Sequence, residues 1–121
     1  MLVLSLDHVN IAGSFALLER CRAFYTDVLG LTDGPRPPFR SRGFWLYAGG
    51  RPIVHLSEKS DDAIGANALD HFAFTCADLD AAMARLHEHG VAFTLDPARD
   101  NKNAQLFLQD PAGVNVELNF P

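Results

Sequence analysis

The same short pattern occurs twice in this chain. Leu6-Asp7-His8 returns as Leu69-Asp70-His71, 63 residues on, and each copy opens a segment of alternating polar and apolar residues. Val54-His55-Leu56 returns as Val116-Glu117-Leu118, 62 residues on, and each of these closes its half. An internal repeat constrains a fold more than any isolated motif, because both halves must form the same supersecondary unit. With 121 residues and 48% hydrophobic content, the chain can bury a core as a single domain, 1–121, built from two such halves.

The punctuation of the halves agrees. In the first, Ser14 is placed to cap a helix whose Leu17, Leu18, Cys21, Phe24, Tyr25 and Val28 share one face and which ends at Gly30. In the second, Asp78 caps a helix carrying Leu79, Ala82, Met83 and Leu86 on one face and ending at Gly90. Strand candidates follow at Leu31 to Asp33, Gly43 to Ala48 and Pro52 to Ser57, then again at Val91 to Leu95, Gln105 to Gln109 and Val114 to Phe120. Gly49-Gly50 and Asp110-Pro111-Ala112-Gly113 are the turns between the last two strands of each half. The order per half is therefore βαβββ, an α+β fold with module one at about 5–57, a polar linker at about 58–68 and module two at about 69–121.

Alternation then sorts the faces, since residues i and i+2 of a strand share a side. Val9 and Ile11 oppose His8 and Asn10; Phe72, Phe74 and Cys76 oppose His71, Ala73 and Thr75. Val54 and Leu56 oppose His55 and Ser57, while Val116, Leu118 and Phe120 oppose Asn115, Glu117 and Asn119. One face is apolar and suited to cover by a helix. The other collects three imidazoles and a carboxylate, which are costly to bury without partners and are good donors for a divalent first-row metal. Equivalent positions of the repeat carry ligand-type residues in all four cases, so His8, His55, His71 and Glu117 are the expected metal site. His87 and His89 lack the i, i+4 spacing of a helical ligand pair and read as solvated.

A formal charge of −5 argues against a nucleic-acid partner or a membrane-surface role and for a small-molecule substrate. The two cysteines, Cys21 and Cys76, fall in apolar periodic segments and read as free thiols. No stretch has the length of a membrane span and the start lacks a basic, apolar leader, so the expectation is a cytoplasmic protein. Two loops, 34–42 and 97–103, hold five of the ten basic residues. Where these loops line the mouth of a site, Arg40, Arg42, Arg99 or Lys102 can steer an anionic substrate; the plainer reading of each one singly is a solvated loop charge. Trp45, with Phe39, Phe44 and Tyr47, can wall a pocket or fill the core.

Taken together, Leu6-Asp-His-Val9, Arg22-Ala-Phe-Tyr-Thr-Asp-Val-Leu-Gly-Leu31, Leu69-Asp-His-Phe-Ala-Phe74 and Asp110-Pro-Ala-Gly-Val-Asn-Val-Glu-Leu118 resemble the vicinal oxygen chelate superfamily. That superfamily includes glyoxalase I, fosfomycin and bleomycin resistance proteins and extradiol dioxygenases. The resemblance implies a curved, cup-shaped mixed sheet with helices outside and one divalent metal (Fe, Mn, Ni, Zn or Co). It implies lyase, isomerase or dioxygenase chemistry and a homodimer. Carried over by position, His8 and His55 take the first-strand and last-strand ligand slots of module one, and His71 and Glu117 those of module two. The chain departs at His55, where glyoxalase I-like members typically hold a glutamate. Glu117 is thus the one ligand carboxylate available to move a proton, with His55 as a fourth ligand or an acid beside the metal. The alternative implied by the same resemblance is a metal-free, antibiotic-binding protein of the bleomycin resistance kind.

Overall fold

The computed structural model describes residues 4–60, 62, 71–100 and 103–121. Leu69, Asp70, Lys102 and most of the 58–68 linker lie outside the described residues. The chain divides into two compact units, residues 1–63 and 64–121, that correspond to the two repeats.

In the first unit, β1 (Val9–Gly13) leads into α1 (Phe15–Ala23) and a π-helical turn (Phe24–Val28). Then come β2 (Thr32–Gly34), β3 (Gly43–Ala48) and β4 (Arg51–Glu58), in sheet order β1-β4-β3-β2. The second unit repeats the plan with β5 (Phe72–Thr75), α2 (Leu79–Glu88), β6 (Thr94–Asp96), β7 (Ala104–Gln109) and β8 (Asn115–Phe120), in order β5-β8-β7-β6. Each sheet pairs its first and last strands in parallel and the rest antiparallel. The βαβββ expectation for both modules is met. Among the described residues, no helix is long and apolar enough to cross a membrane.

Local chemistry explains the boundaries. Ser14 is extended, and its Oγ accepts the Leu17 N–H at 3.2 Å, satisfying one of the free amides that every helix start presents. Asp62, from the segment expected as linker, accepts hydrogen bonds from the Ser14 N–H and hydroxyl and so holds the cap in place. Leu17, Leu18 and Cys21 are buried, as are Phe24, Tyr25 and Val28 in the π turn, which confirms the face read from spacing. The helix packs on β1, β3 and β4. Gly30, at φ 83°, supplies the left-handed residue that ends the run.

In the second unit, Asp78 caps α2 through the Ala81 N–H, but Leu86 is the one residue of that helix buried. Its expected partners Leu79, Ala82 and Met83 are only partly covered. Asp110 is buried at the β7–β8 turn, where one carboxylate oxygen accepts the N–H groups of Ala112 and Val114 at 2.8 and 2.9 Å. That is the structural reason for an aspartate in the closing motif. Strand starts differ slightly from expectation: β1 begins at Val9 and β5 at Phe72, so His8 and His71 stand just before their strands. Neither Cys21 nor Cys76 is joined in a disulfide.

Candidate metal and ligand site

The apolar face of each sheet is closed: Ile11, Leu46, Val54 and Leu56 are buried in one, and Leu106, Leu108, Val116, Leu118 and Phe120 in the other. The chemistry therefore sits on the opposite faces, where register decides which side chains meet.

In the first unit, His55 lies at the centre of the sheet, paired with Asn10 of β1 on one side and Trp45 of β3 on the other. His8, two residues before Asn10, reaches the same face. The result is a column of three rings. His8 stacks on His55 with centroids 3.8 Å apart and planes at 12°, and Trp45 stacks on His55 at 4.1 Å and 13°. A carbonyl oxygen can only accept, so the 3.0 Å contact of His55 Nε2 with the Pro52 carbonyl puts the ring proton on Nε2 and leaves a lone pair on Nδ1. Burial, and then the neighbouring His8, push the His55 imidazole below its ordinary pKa, which keeps it neutral near pH 7.

His8 has the opposite arrangement. Its Nδ1 lies 2.7 Å from Asp7 Oδ2, which leaves Nε2 as the nitrogen with a free lone pair. A carboxylate on the far nitrogen is the usual orienting partner of a metal-ligating histidine. The same bond holds the exposed Asp7 carboxyl below its ordinary range.

In the second unit the equivalent centre is Glu117, paired with Ala73 of β5 and Phe107 of β7. Its carboxylate is buried, and its partner among the described residues is His71, with Nε2 3.5 Å from Oε1. Donors each bound to one ion by bonds of about 2.1 Å, at angles between square and tetrahedral, stand roughly 3.0–3.4 Å apart. The His71–Glu117 separation of 3.5 Å lies just beyond that range. Among the described residues, no three His, Cys, Asp or Glu side chains gather where they could hold a metal ion. The His8 and His55 rings lie face to face, so their in-plane lone pairs run parallel and do not meet at one point.

The sequence model of the glyoxalase/bleomycin resistance protein/dioxygenase superfamily matches residues 5–118. This chain belongs to that superfamily. The protein YaeR of Escherichia coli (strain K12) is 31% identical over 108 residues, covering 80% of this chain and 82% of YaeR. A glyoxalase family protein from Bacillus anthracis shares the fold with a TM-score of 0.81 at 25% identity, covering 98% of this chain and 95% of the other. The antibiotic binding protein TnmS3 from Streptomyces sp. CB03234 shares it with a TM-score of 0.70 at 22% identity, covering 100% and 98% of the two chains. The superfamily thus spans enzymes and binding proteins on one fold, and the side chains must discriminate between them.

Of the residues expected to meet substrate, Trp45 is in the ring column. Arg42 donates through Nε and Nη2 to Glu58 at 3.1 and 2.7 Å and lies 4.0 Å over the Phe15 ring, so its fork is committed within the protein. Arg99 pairs with Asp96 at 3.3 Å, and Arg40 is exposed. Of the aromatic candidates, Phe44 packs on Phe15 and Tyr47 reaches the Pro35 carbonyl, while Phe39 joins Trp45 at an open pocket of about 260 Å3. Arg36 lines that pocket too and was not singled out by sequence. Its signal was its setting, an arginine between Pro35 and Pro37, where two fixed φ angles limit where the side chain can go.

Proposed function

We propose that this protein is a metal-dependent enzyme acting on a small oxygenated molecule, with His8, His71 and Glu117 as ligands and His55 as a fourth donor or a proton-handling group. The observation that carries this reading is the buried Glu117 carboxylate, 3.5 Å from His71 Nε2 and so close to the spacing of two ligands on one ion. A buried carboxylate is expensive unless an ion or a dense set of donors compensates it. Two imidazoles and one carboxylate make a donor set that Fe, Mn, Ni, Zn or Co would accept. Such an ion, when bound, supplies Lewis-acid polarisation of neighbouring substrate oxygens, which lyase, isomerase and dioxygenase reactions of this superfamily all require.

The chain's own residues divide the remaining work. Asp7 orients the His8 ring, so that Nε2 is the nitrogen presented. Glu117, shielded from water by its place in mid-sheet, is the base positioned to take a proton from substrate. His55, held neutral with its Nδ1 lone pair free, accepts a hydrogen bond or a proton but does not repel a cation.

Metal analysis of protein purified without a histidine tag tests this reading. Stoichiometric metal is expected in the parent and is lost in His71→Ala and Glu117→Gln. A parent protein with no stoichiometric metal, after growth with each of the five ions, overturns it.

A second reading is favoured by one observation: the His8–His55–Trp45 column presents a flat aromatic surface, on a fold shared with an antibiotic-binding protein. In that reading the protein sequesters a planar molecule without metal, and binding of the molecule is unchanged by chelator. A homodimer is part of either proposal and is tested by light scattering.

A further inference from the structure

We propose that the module-one pocket is a binding site for a small organic acid, with Arg36 pairing with the oxyanion and Trp45 and Phe39 covering the apolar body. This deepens the reading above by naming a substrate class, and rests on it only in taking the pocket as part of the same site.

The first argument is charge. In a chain with 15 acidic residues and a net charge of −5, the pocket wall contains, among the described residues, Arg36 and no carboxylate; its other polar groups include Asn10, Ser41, Ser57 and His55. The second is the state of the guanidinium. Arg22, Arg42 and Arg99 each pair with a carboxylate, whereas Arg36 has none among the described residues. Its Nη1 donates to the Ser41 carbonyl at 2.9 Å and its Nη2 to Ser41 Oγ at 3.4 Å, while the buried Nε–H has no partner. An arginine cannot shed its proton, so a half-buried guanidinium with no carboxylate beside it is an electrostatic cost, which a bound oxyanion relieves by accepting from the second N–H of Nη1 or Nη2.

The third argument is that the side chain is held in position. It lies 4.8 Å over the Phe39 ring. Gly43 leaves the space it occupies: a Cβ there would collide with the Leu56 carbonyl and come within 2.9 Å of Arg36 Nη2. A pre-placed cation beside two aromatic rings matches a compact acid carrying an apolar body. At about 260 Å3 the pocket suits one ring with one acidic group and not a nucleotide.

Trp45 is the only tryptophan in the chain, so intrinsic fluorescence reports on this pocket alone. The test is to titrate the protein, as isolated and after chelator treatment, with benzoate, phenylphosphonate, inorganic phosphate and the neutral analogue benzamide. Expected are saturable fluorescence changes with at least one aromatic anion and binding weaker by roughly tenfold or more with benzamide. Arg36→Gln should weaken anion binding by a similar factor, with Arg36→Lys between it and the parent and Arg20→Gln, on exposed α1 surface, unchanged. Whichever of benzoate and phenylphosphonate binds more tightly identifies the acid as a carboxylate or a phosphonate type.

Equal binding of benzamide and benzoate, or no saturable change with either aromatic anion, overturns the proposal. Phosphate binding as tightly as phenylphosphonate removes the role given to Trp45 and Phe39. If Arg36→Gln fails to fold, the benzoate and benzamide comparison in the parent decides. Anion binding that persists in a protein shown to hold no metal sustains this site while the metal reading falls; metal without anion binding does the reverse.

Discussion

The two modules have the same strand order and corresponding registers, yet their central polar positions hold different chemistry. In module one the mid-sheet residue is His55, flanked across the strands by Asn10 and Trp45; in module two it is Glu117, flanked by Ala73 and Phe107. The first setting is a ring stack, which keeps an imidazole neutral beside an arginine-lined pocket. The second shields a carboxylate among small or apolar neighbours and sets it against one histidine. A repeated scaffold thus fixes where a side chain is presented, while the cross-strand neighbours decide what it can do there. The cores differ as well: α1 and its π turn bury six side chains, and α2 buries one.

The largest expected contrast is in metal affinity. Glu117→Gln should weaken it by more than about 100-fold, whereas His55→Gln should cost roughly 10–100-fold or less. Competition with a chelating dye measures both, and equal losses would erase the distinction between the two central slots.

Stability comes next. Leu18→Ala, fully buried on α1, should cost about 3 kcal/mol in urea unfolding. Methyl-sized truncations on α2 away from Leu86, such as Ala82→Gly, should stay near 1 kcal/mol, the helix-propensity cost. A helix α2 as sensitive as α1 would contradict the asymmetry of the two cores.

The connecting turns offer a smaller contrast. Asp110→Ala leaves two buried backbone N–H groups without their acceptor and should cost about 1–3 kcal/mol. The module-one turn relies instead on backbone freedom, with Gly49 and Gly50 at φ 59° and 76°. Gly50→Ala should therefore cost only about 1–2 kcal/mol, with no dependence on a side-chain acceptor.

The smallest effect is pH-dependent. The Arg42 guanidinium holds the half-buried Glu58 carboxyl below its ordinary value of 4.5. A depressed carboxylate stabilises the folded state above its unfolded pKa, and the contribution is lost as pH falls through the folded value. Melting temperature should thus decline below pH 4.5 a little more steeply in the parent than in Glu58→Gln. Identical slopes would show that this pair contributes nothing to module one.

Much of this was legible beforehand because it depends on local rules. Ser14, Gly30, Asp78 and Gly90 mark helix ends through capping and left-handed backbone, which operate within a few residues. Alternation gave the buried faces of β1, β4 and β8, since a period of two leaves no choice once one side is apolar. Arg42 shows where such rules stop. Its sequence neighbourhood is that of a free loop cation, but β3 and β4 run side by side and bring Glu58, 16 residues on, within 2.7 Å. Arg36 is the converse case, a residue that looked unexceptional and whose isolation depends on Ser41, Phe39 and the missing Cβ of Gly43.

By itself the sequence determined the repeat, the βαβββ order, the caps, and the presence of three histidines and a glutamate at equivalent positions of the two halves. Those follow from spacing and backbone chemistry along one strand or helix. Only the tertiary structure decided which ring nitrogen of His8 and of His55 is free, that Trp45 stacks on His55, and that Arg36 has no carboxylate partner among the described residues. Each of these depends on residues from different strands meeting at distances of a few ångströms, and register across a sheet, unlike periodicity along it, is a property of the folded chain.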